Sequence, residues 1–274
     1  MKVLLVVLAV LLVLFVLFVL SLKPHARRAG FRFEHALIAH RGLHGNGVPE
    51  NSLSAFRAAF RKGGIGAELD VQMTKDRQLV VFHDWDLKRM CGMDGSLSDY
   101  TYEELHVLSL QSTKEKIPLF ADALRALGGI PLVCEIKAKQ RDGYQDLCEA
   151  AAALLKTYKG SFCVESFHPG VVKWFRDNRP EIIRGQLSMR HGKDSEGTPW
   201  YQRFVITHLM LNFLTRPDFI AYRYTDSKML GFRLCRSLYH PHTVGWTARG
   251  AAAIADAKKR GFEAVIFEEP GQTS

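Results

Sequence analysis

Residues 67–73 read Ala-Glu-Leu-Asp-Val-Gln-Met, an apolar, strand-like run that carries carboxylates at Glu68 and Asp70. Side chains two apart on a strand point to one face, so both acids project together while Leu69 and Val71 face the other way. Carboxylates side by side in an apolar setting repel, and they need a cation or a proton between them. An all-oxygen pair favours a hard ion, Mg2+ or Ca2+, over zinc.

The rest of the body alternates short apolar or β-branched runs with helical patterns, with neither a long linker nor a repeat, which is the rhythm of βα units around a parallel sheet. Candidate strands fall at 37–40, 67–73, 79–83, 132–137, 162–166, 183–187, 219–222, 243–246 and 264–267. That is one more than a closed (β/α)8 TIM barrel needs, and 73–79 is too short for a crossover helix. Either the second or the third strand is accessory, or the two pair locally as a hairpin. A helix is predicted over 52–62, capped at Asn51/Ser52, with Leu53, Phe56 and Phe60 on one face and a stop at Gly63-Gly64. Others are predicted over 144–158, 169–178 and 251–260. Segment 200–214 is apolar nearly all round and reads either as a buried barrel helix or as an amphipathic element dipping into a membrane.

Residues 3–20 are eighteen uncharged apolar residues, enough to cross about 27 Å as a helix. A cleaved signal sequence has a shorter apolar core of about 7 to 15 residues and a small-x-small site, whereas Ser21-Leu22-Lys23-Pro24 follows here. The expected organisation is a transmembrane anchor at 1–22, a basic juxtamembrane segment at 23–35 and a barrel at 36–274. Lys2 stands alone before the span while Lys23, Arg27, Arg28 and Arg32 follow it, which puts the body on the cytoplasmic face. Five cysteines without a CxxC pair suit buried, reduced thiols. The net charge of +9 is scattered and no nucleic-acid motif accompanies it, so the chain reads as a solvated surface attracted to anionic lipid headgroups, with no nucleic-acid partner.

Further charged strand ends extend the first pair. Glu135 and Lys137 share a face at the end of an apolar run, as a third metal ligand and a phosphate contact, or as a structural ion pair. His40 and His83 also end strands, where imidazoles can activate a nucleophile and protonate a leaving alkoxide. Arg41 offers a planar fork of donors for a phosphate oxygen. The other nine histidines, His44 included, read as surface.

The set HRG, PENS, ELDVQMTKD, VVFHD, EIK and a late WT resembles the glycerophosphodiester phosphodiesterase family over roughly residues 36 to 270. The resemblance implies a TIM barrel, a glycerophosphodiester substrate and one divalent cation. It implies His40 and His83 as the acid/base pair, Glu68, Asp70 and Glu135 as metal ligands, and Arg41 and Lys137 as phosphate contacts. Glu50 and Asn51 fall in the family's PEN loop beside the site, and Trp246 matches an aromatic wall next to the substrate. The chain departs from the family near its end, where Val265-Ile266-Phe267-Glu268-Glu269-Pro270 stands in place of a TDYP-like segment. The expected activity is hydrolysis to an alcohol and a glycerol phosphate, by water or through a cyclic phosphate. The alternatives are a lysophospholipase D or another phospholipase acting on membrane lipid, and a barrel that binds headgroups without turnover.

Overall fold

The structure, a computed structural model, describes residues 1–26, 30–139, 143–192 and 199–270. Two members of the basic segment, Arg27 and Arg28, lie outside the described residues. In chain order the strands are β1 (Leu37–Ala39), β2 (Gly66–Met73), β3 (Leu79–Val81), β4 (Leu132–Ile136), β5 (Phe162–Ser166), β6 (Arg184–Ser188), β7 (Phe219–Arg223), β8 (His242–Arg249) and β9 (Ala264–Glu268). The helices are α1 (Lys2–Ser21), α2 (Leu53–Lys62), α3 (Lys88–Cys91), α4 (Tyr102–Leu105), α5 (Phe120–Ala126), α6 (Tyr144–Leu155), α7 (Pro169–Asn178), α8 (Trp200–Thr207), α9 (Asn212–Thr215), α10 (Leu230–Tyr239) and α11 (Gly250–Lys259).

Eight parallel strands run in the order β1, β2, β4, β5, β6, β7, β8, β9, and β9 pairs with β1 to close a TIM barrel. The ninth strand, β3, is the accessory one: it pairs antiparallel with β2 through Val71–Val81 and Met73–Leu79 as a local hairpin. Alternation along the strands separates two cores. Leu69, Val71, Cys134 and Ile136 face outward against the helices, whereas Ile38, Val133, Cys163, Leu187 and Val244 fill the barrel interior. Phe31 and Phe33, from the segment predicted to be basic and juxtamembrane, join that interior and pack under Phe219 and His242 at the amino-terminal ends of the strands.

Helix α2 starts where its cap predicts, with Ser52 Oγ accepting from the Ala55 amide at 3.1 Å. Its buried residues are Ala55, Phe56 and Ala59. Phe60, expected on that face, is half exposed because its ring lies over Gly128 in the turn after α5, where a Cβ would meet it at 2.7 Å. Between β3 and α5 the chain forms a small satellite of single-turn helices around Phe82, Leu87, Met90, Leu105 and Ile117, which carried no periodic signal.

Segment 200–214 is not one buried helix. It breaks into α8 and α9 at Leu209, which adopts φ +61°, and its outer face exposes Trp200, Tyr201, Phe204, Phe213 and Leu214. The break is held by Tyr222 Oη donating to the Thr207 carbonyl at 2.8 Å and by the Gly231 amide donating to His208 Nδ1 at 3.1 Å. Gly231 is required there, since a Cβ would sit 2.3 Å from the His208 carbonyl oxygen. Helix α1 is long and apolar enough to cross a membrane and is exposed along most of its length. All five cysteines are free thiols, four of them buried.

Candidate active site

The carboxyl ends of the parallel strands deliver the charged groups to one place, as TIM-barrel geometry dictates. Asp70 on β2 pairs in register with Glu135 on β4, which pairs with Glu165 on β5. Ligand atoms of Glu68, Asp70 and Glu135 all lie within 4.8 Å of one another, and all three residues are buried. Lys137 Nζ sits 2.8 Å from Glu135 Oε1 and 3.1 Å from Asp70 Oδ1.

The turn after β1 completes the cluster. Arg41 adopts φ +53°, its amide donates to Glu68 Oε2 at 2.8 Å, and its guanidinium reaches Glu50 at 2.7 Å and Asp70 at 3.6 Å. Asn51, also left-handed at φ +55°, donates through Nδ2 to Asp70 Oδ2 at 2.8 Å. Two non-glycine residues in this sparsely populated region mark a backbone held for the site. Gly42 between them must be glycine: at φ +78°, its Cβ would meet Ala55 Cβ at 2.9 Å.

Each imidazole is gripped through Nδ1 by a carboxylate, which leaves Nε2 for chemistry. His40 Nδ1 is 2.7 Å from Glu268 Oε1, and Arg249 Nε donates to Glu268 Oε2 at 2.6 Å. His83 Nδ1 is 2.7 Å from Asp84 Oδ1. Arg89 ties Asp84 to Glu50 with contacts of 2.7 and 2.6 Å. Gln72 Nε2 donates to the Asp84 carbonyl at 2.8 Å and so pins the end of the accessory hairpin that carries His83.

Burial moves these groups in opposite directions. It pulls His40 down to about 4, against the pull of Glu268, and so keeps that imidazole neutral near pH 7. Burial, with Asp70 and Glu135 as like-charged neighbours, pushes Glu68 well above the usual carboxylate range. Burial likewise raises Glu135, although Lys137 opposes it. Burial would raise Asp70 too, but Lys137, His83 and Arg41 together hold it well below that range. Glu268, despite burial, is held at about 2 by His40 and Arg249. A divalent cation fits this donor set: three buried carboxylates converge with too little positive charge to ionise all of them, and oxygen donors suit Mg2+ or Ca2+.

A cleft of about 470 Å3 opens over the cluster, lined by His83, Asp84, Glu135, Lys137, Phe167 and His191. A second cleft of about 290 Å3 shares Trp85 and Lys137 with it. Trp246 packs edge-on against Phe167 with centroids 5.6 Å apart, and so backs the cleft wall. Glu50 contacts Arg41 and Arg89, not the three acids. The reading of nine surface histidines needs correction. His44, His208 and His242 are buried, and His168 and His191 line the cleft, because lone polar rings in loops, at a helix end or at a strand start are buried by tertiary contacts that carry no periodic signature. Sequence reasoning also passed over Glu268, Arg89 and Glu165, the last a buried carboxylate beside Glu135.

A closed barrel that carries a buried cluster of three carboxylates and two carboxylate-held imidazoles at the carboxyl ends of its strands defines a class of TIM-barrel proteins with a candidate metal site. Residues 40–218 match the glycerophosphoryl diester phosphodiesterase family, and the chain belongs to it. It is 34% identical over 164 residues to a glycerophosphodiester phosphodiesterase of Bacillus altitudinis, covering 56% of this chain and 66% of that protein. It is likewise 34% identical over 140 residues to a lysophospholipase D of Rattus norvegicus, covering 47% and 43%. The chain thus spans less than two thirds of the length of the curated relatives it matches. The fold is similar to that of an Oleispira antarctica phosphodiesterase in complex with the product sn-glycerol-3-phosphate, with a TM-score of 0.70 at 22% identity, over 86% of this chain and 94% of that one. It is also similar to a Thermotoga maritima glycerophosphodiester phosphodiesterase, with a TM-score of 0.62 at 24% identity, over 84% and 93%.

Proposed function

We propose that this chain hydrolyses glycerophosphodiesters to an alcohol and a glycerol phosphate, with one Mg2+ or Ca2+ held by Glu68, Asp70 and Glu135. The observation that carries the reading is the approach of those three ligand sets within 4.8 Å, flanked by two imidazoles whose Nδ1 atoms are already committed to carboxylates. The family membership supports it, as do the activities for which the relatives are named.

Glu68, Asp70 and Glu135 would hold the cation, which would supply positive charge to stabilise a phosphate group in the cleft. Arg41 and Lys137 hold its nonbridging oxygens from the protein side, their charges kept by the buried carboxylates around them. His40, neutral and oriented by Glu268, accepts through Nε2 the proton of the attacking hydroxyl, from water or from the adjacent glycerol hydroxyl. As the new P–O bond forms, the bond to the departing alcohol breaks; where the glycerol hydroxyl attacks, water opens the resulting cyclic phosphate in a second displacement to give glycerol phosphate. His83, on the open side of the cleft and backed by Asp84, gives its Nε2 proton to that oxygen. Asn51 steadies Asp70, Glu50 steadies Arg41, and Phe167 with Trp246 walls the substrate.

The segment 1–22, which contains α1, is read as a membrane anchor, with the segment 23–35 leading from it to a barrel at 36–274 on the cytoplasmic side. A second substrate class, lysophospholipids with the same headgroup linkage, is favoured by that helix together with the lysophospholipase D relatives. The full chain with Mg2+ or Ca2+ is expected to release choline or ethanolamine from a glycerophosphodiester or a lysolipid, and Glu68→Gln is expected to abolish release. Turnover surviving in that variant, or in excess chelator, would contradict the cation assignment. Product masses separate the two substrate classes.

A further inference from the structure

The apolar helix does not leave the barrel on a flexible stalk. Its last turn is built into the protein: Tyr239 Oη donates to the Val19 carbonyl at 2.8 Å, and Asn212 Nδ2 donates to the Leu22 carbonyl at 3.1 Å. Leu22 is fully buried in a cluster with Leu209, Ile220, Tyr222 and Phe232. Phe18, within the apolar run itself, meets the His208 ring edge-on at 6.1 Å, and Phe204 packs on the same ring at 4.5 Å. A twenty-residue helix is about 30 Å long, so Phe18 lies about 6 Å from the position of Leu22 and still within the depth of a spanned bilayer. With α1 read as a span, whatever touches Phe18 sits at the membrane surface.

What touches it is α8 and the turn that leads to α9. Their outward side chains, Trp200, Tyr201, Phe204, Phe213 and Leu214, are 42 to 73% exposed. Aromatic rings with one polar edge are the groups that settle at the headgroup level of a bilayer. We infer that the outer face of α8 and α9 is a bilayer-contacting surface, continuous with α1, that seats the barrel directly on lipid. The occupant is lipid, not a second copy of the chain, because the face shares the His208 ring with a residue of the span. The inference rests on the reading of α1 as a membrane anchor.

The test uses the full chain in phosphatidylcholine–phosphatidylglycerol vesicles containing lipid brominated near the carbonyl end of the acyl chain. Bromolipid should quench tryptophan emission, the larger part of that quenching should vanish in Trp200→Phe, and Phe204→Trp in that background should restore it. Hydrolysis of a water-soluble glycerophosphodiester should not change in Trp200→Phe. If the chain resists alkaline carbonate extraction while Trp200 stays open to aqueous iodide and untouched by bromolipid, the face is not on the membrane. Extraction by carbonate would overturn the anchor reading itself. Shielding of Trp200 from both quenchers, with cross-linking into dimers, would assign the face to a second copy and overturn the inference.

Discussion

The two ends of the barrel each gather three potential metal-ligating side chains within 4.8 Å, and they differ in everything else. At the carboxyl end Glu68, Asp70 and Glu135 are buried among Arg41, Lys137 and two imidazoles, under an open cleft. At the amino end Glu34 is exposed, and His242 already spends Nδ1 on Glu263 at 2.7 Å while stacking on Phe31 at 4.3 Å. Proximity of ligand atoms is therefore a poor guide by itself. The carboxyl end has unbalanced acid charge and room for a ligand; the amino end has a hydrogen-bonded imidazole and carboxylate beneath an aromatic plug.

The largest expected effect separates the two ends outright. Glu135→Gln should lower kcat/KM by about 10³-fold or more, since a hard-cation site loses an anionic ligand, whereas Glu263→Gln should stay within about twofold. Steady-state assays with saturating cation decide it, and equal losses in both variants would erase the distinction. Next in size, Glu268→Gln should lower kcat by about 10- to 100-fold with KM little changed, because it frees His40 to adopt the wrong tautomer and orientation. A change confined to KM would mean that Glu268 acts on binding instead.

The pH dependence of cation binding should differ as well. Burial and like-charged neighbours raise both Glu68 and Glu135, so each holds a proton more tightly than an ordinary carboxylate and cation binding competes with that proton. Affinity should thus weaken as pH is lowered from about 7.5 to about 6, with acid appearing in unbuffered solution on titration. An affinity flat across that window would contradict the account. The smallest effect belongs to the amino end: Glu263→Gln should cost about 1 kcal/mol, or about 2 to 4 °C in thermal melting, from one weakened hydrogen bond. A drop far beyond that range would make the contact under the plug more than a single hydrogen bond.

The acids of β2 and β4 were legible because strand periodicity is short and strict, so Glu68 with Asp70 and Glu135 with Lys137 could be assigned to faces from spacing alone. The short gap before β3 likewise narrowed the extra strand to the second or the third or a local hairpin of the two, and the antiparallel β2–β3 pairing identifies it as β3. Glu268 was not legible as the partner of His40, because their contact spans 228 positions and depends on β9 closing against β1. Arg89 sits in the satellite after β3, whose single-turn helices are too short to carry a period. The break at Leu209 escaped for a similar reason: an apolar run reads as one helix unless a tertiary contact, here Gly231 against His208, forces the chain to turn. Phe31 and Phe33 were hidden among basic neighbours, though they plug the barrel floor.

Calorimetric titration of Mg2+ or Ca2+ into the full chain, beside Glu135→Gln and Glu263→Gln, tests the central claim most directly. The account predicts one site in the unmodified chain, lost in Glu135→Gln and unchanged in Glu263→Gln. A site that survives Glu135→Gln, or vanishes in Glu263→Gln, would move the cation away from the two imidazoles and contradict the account.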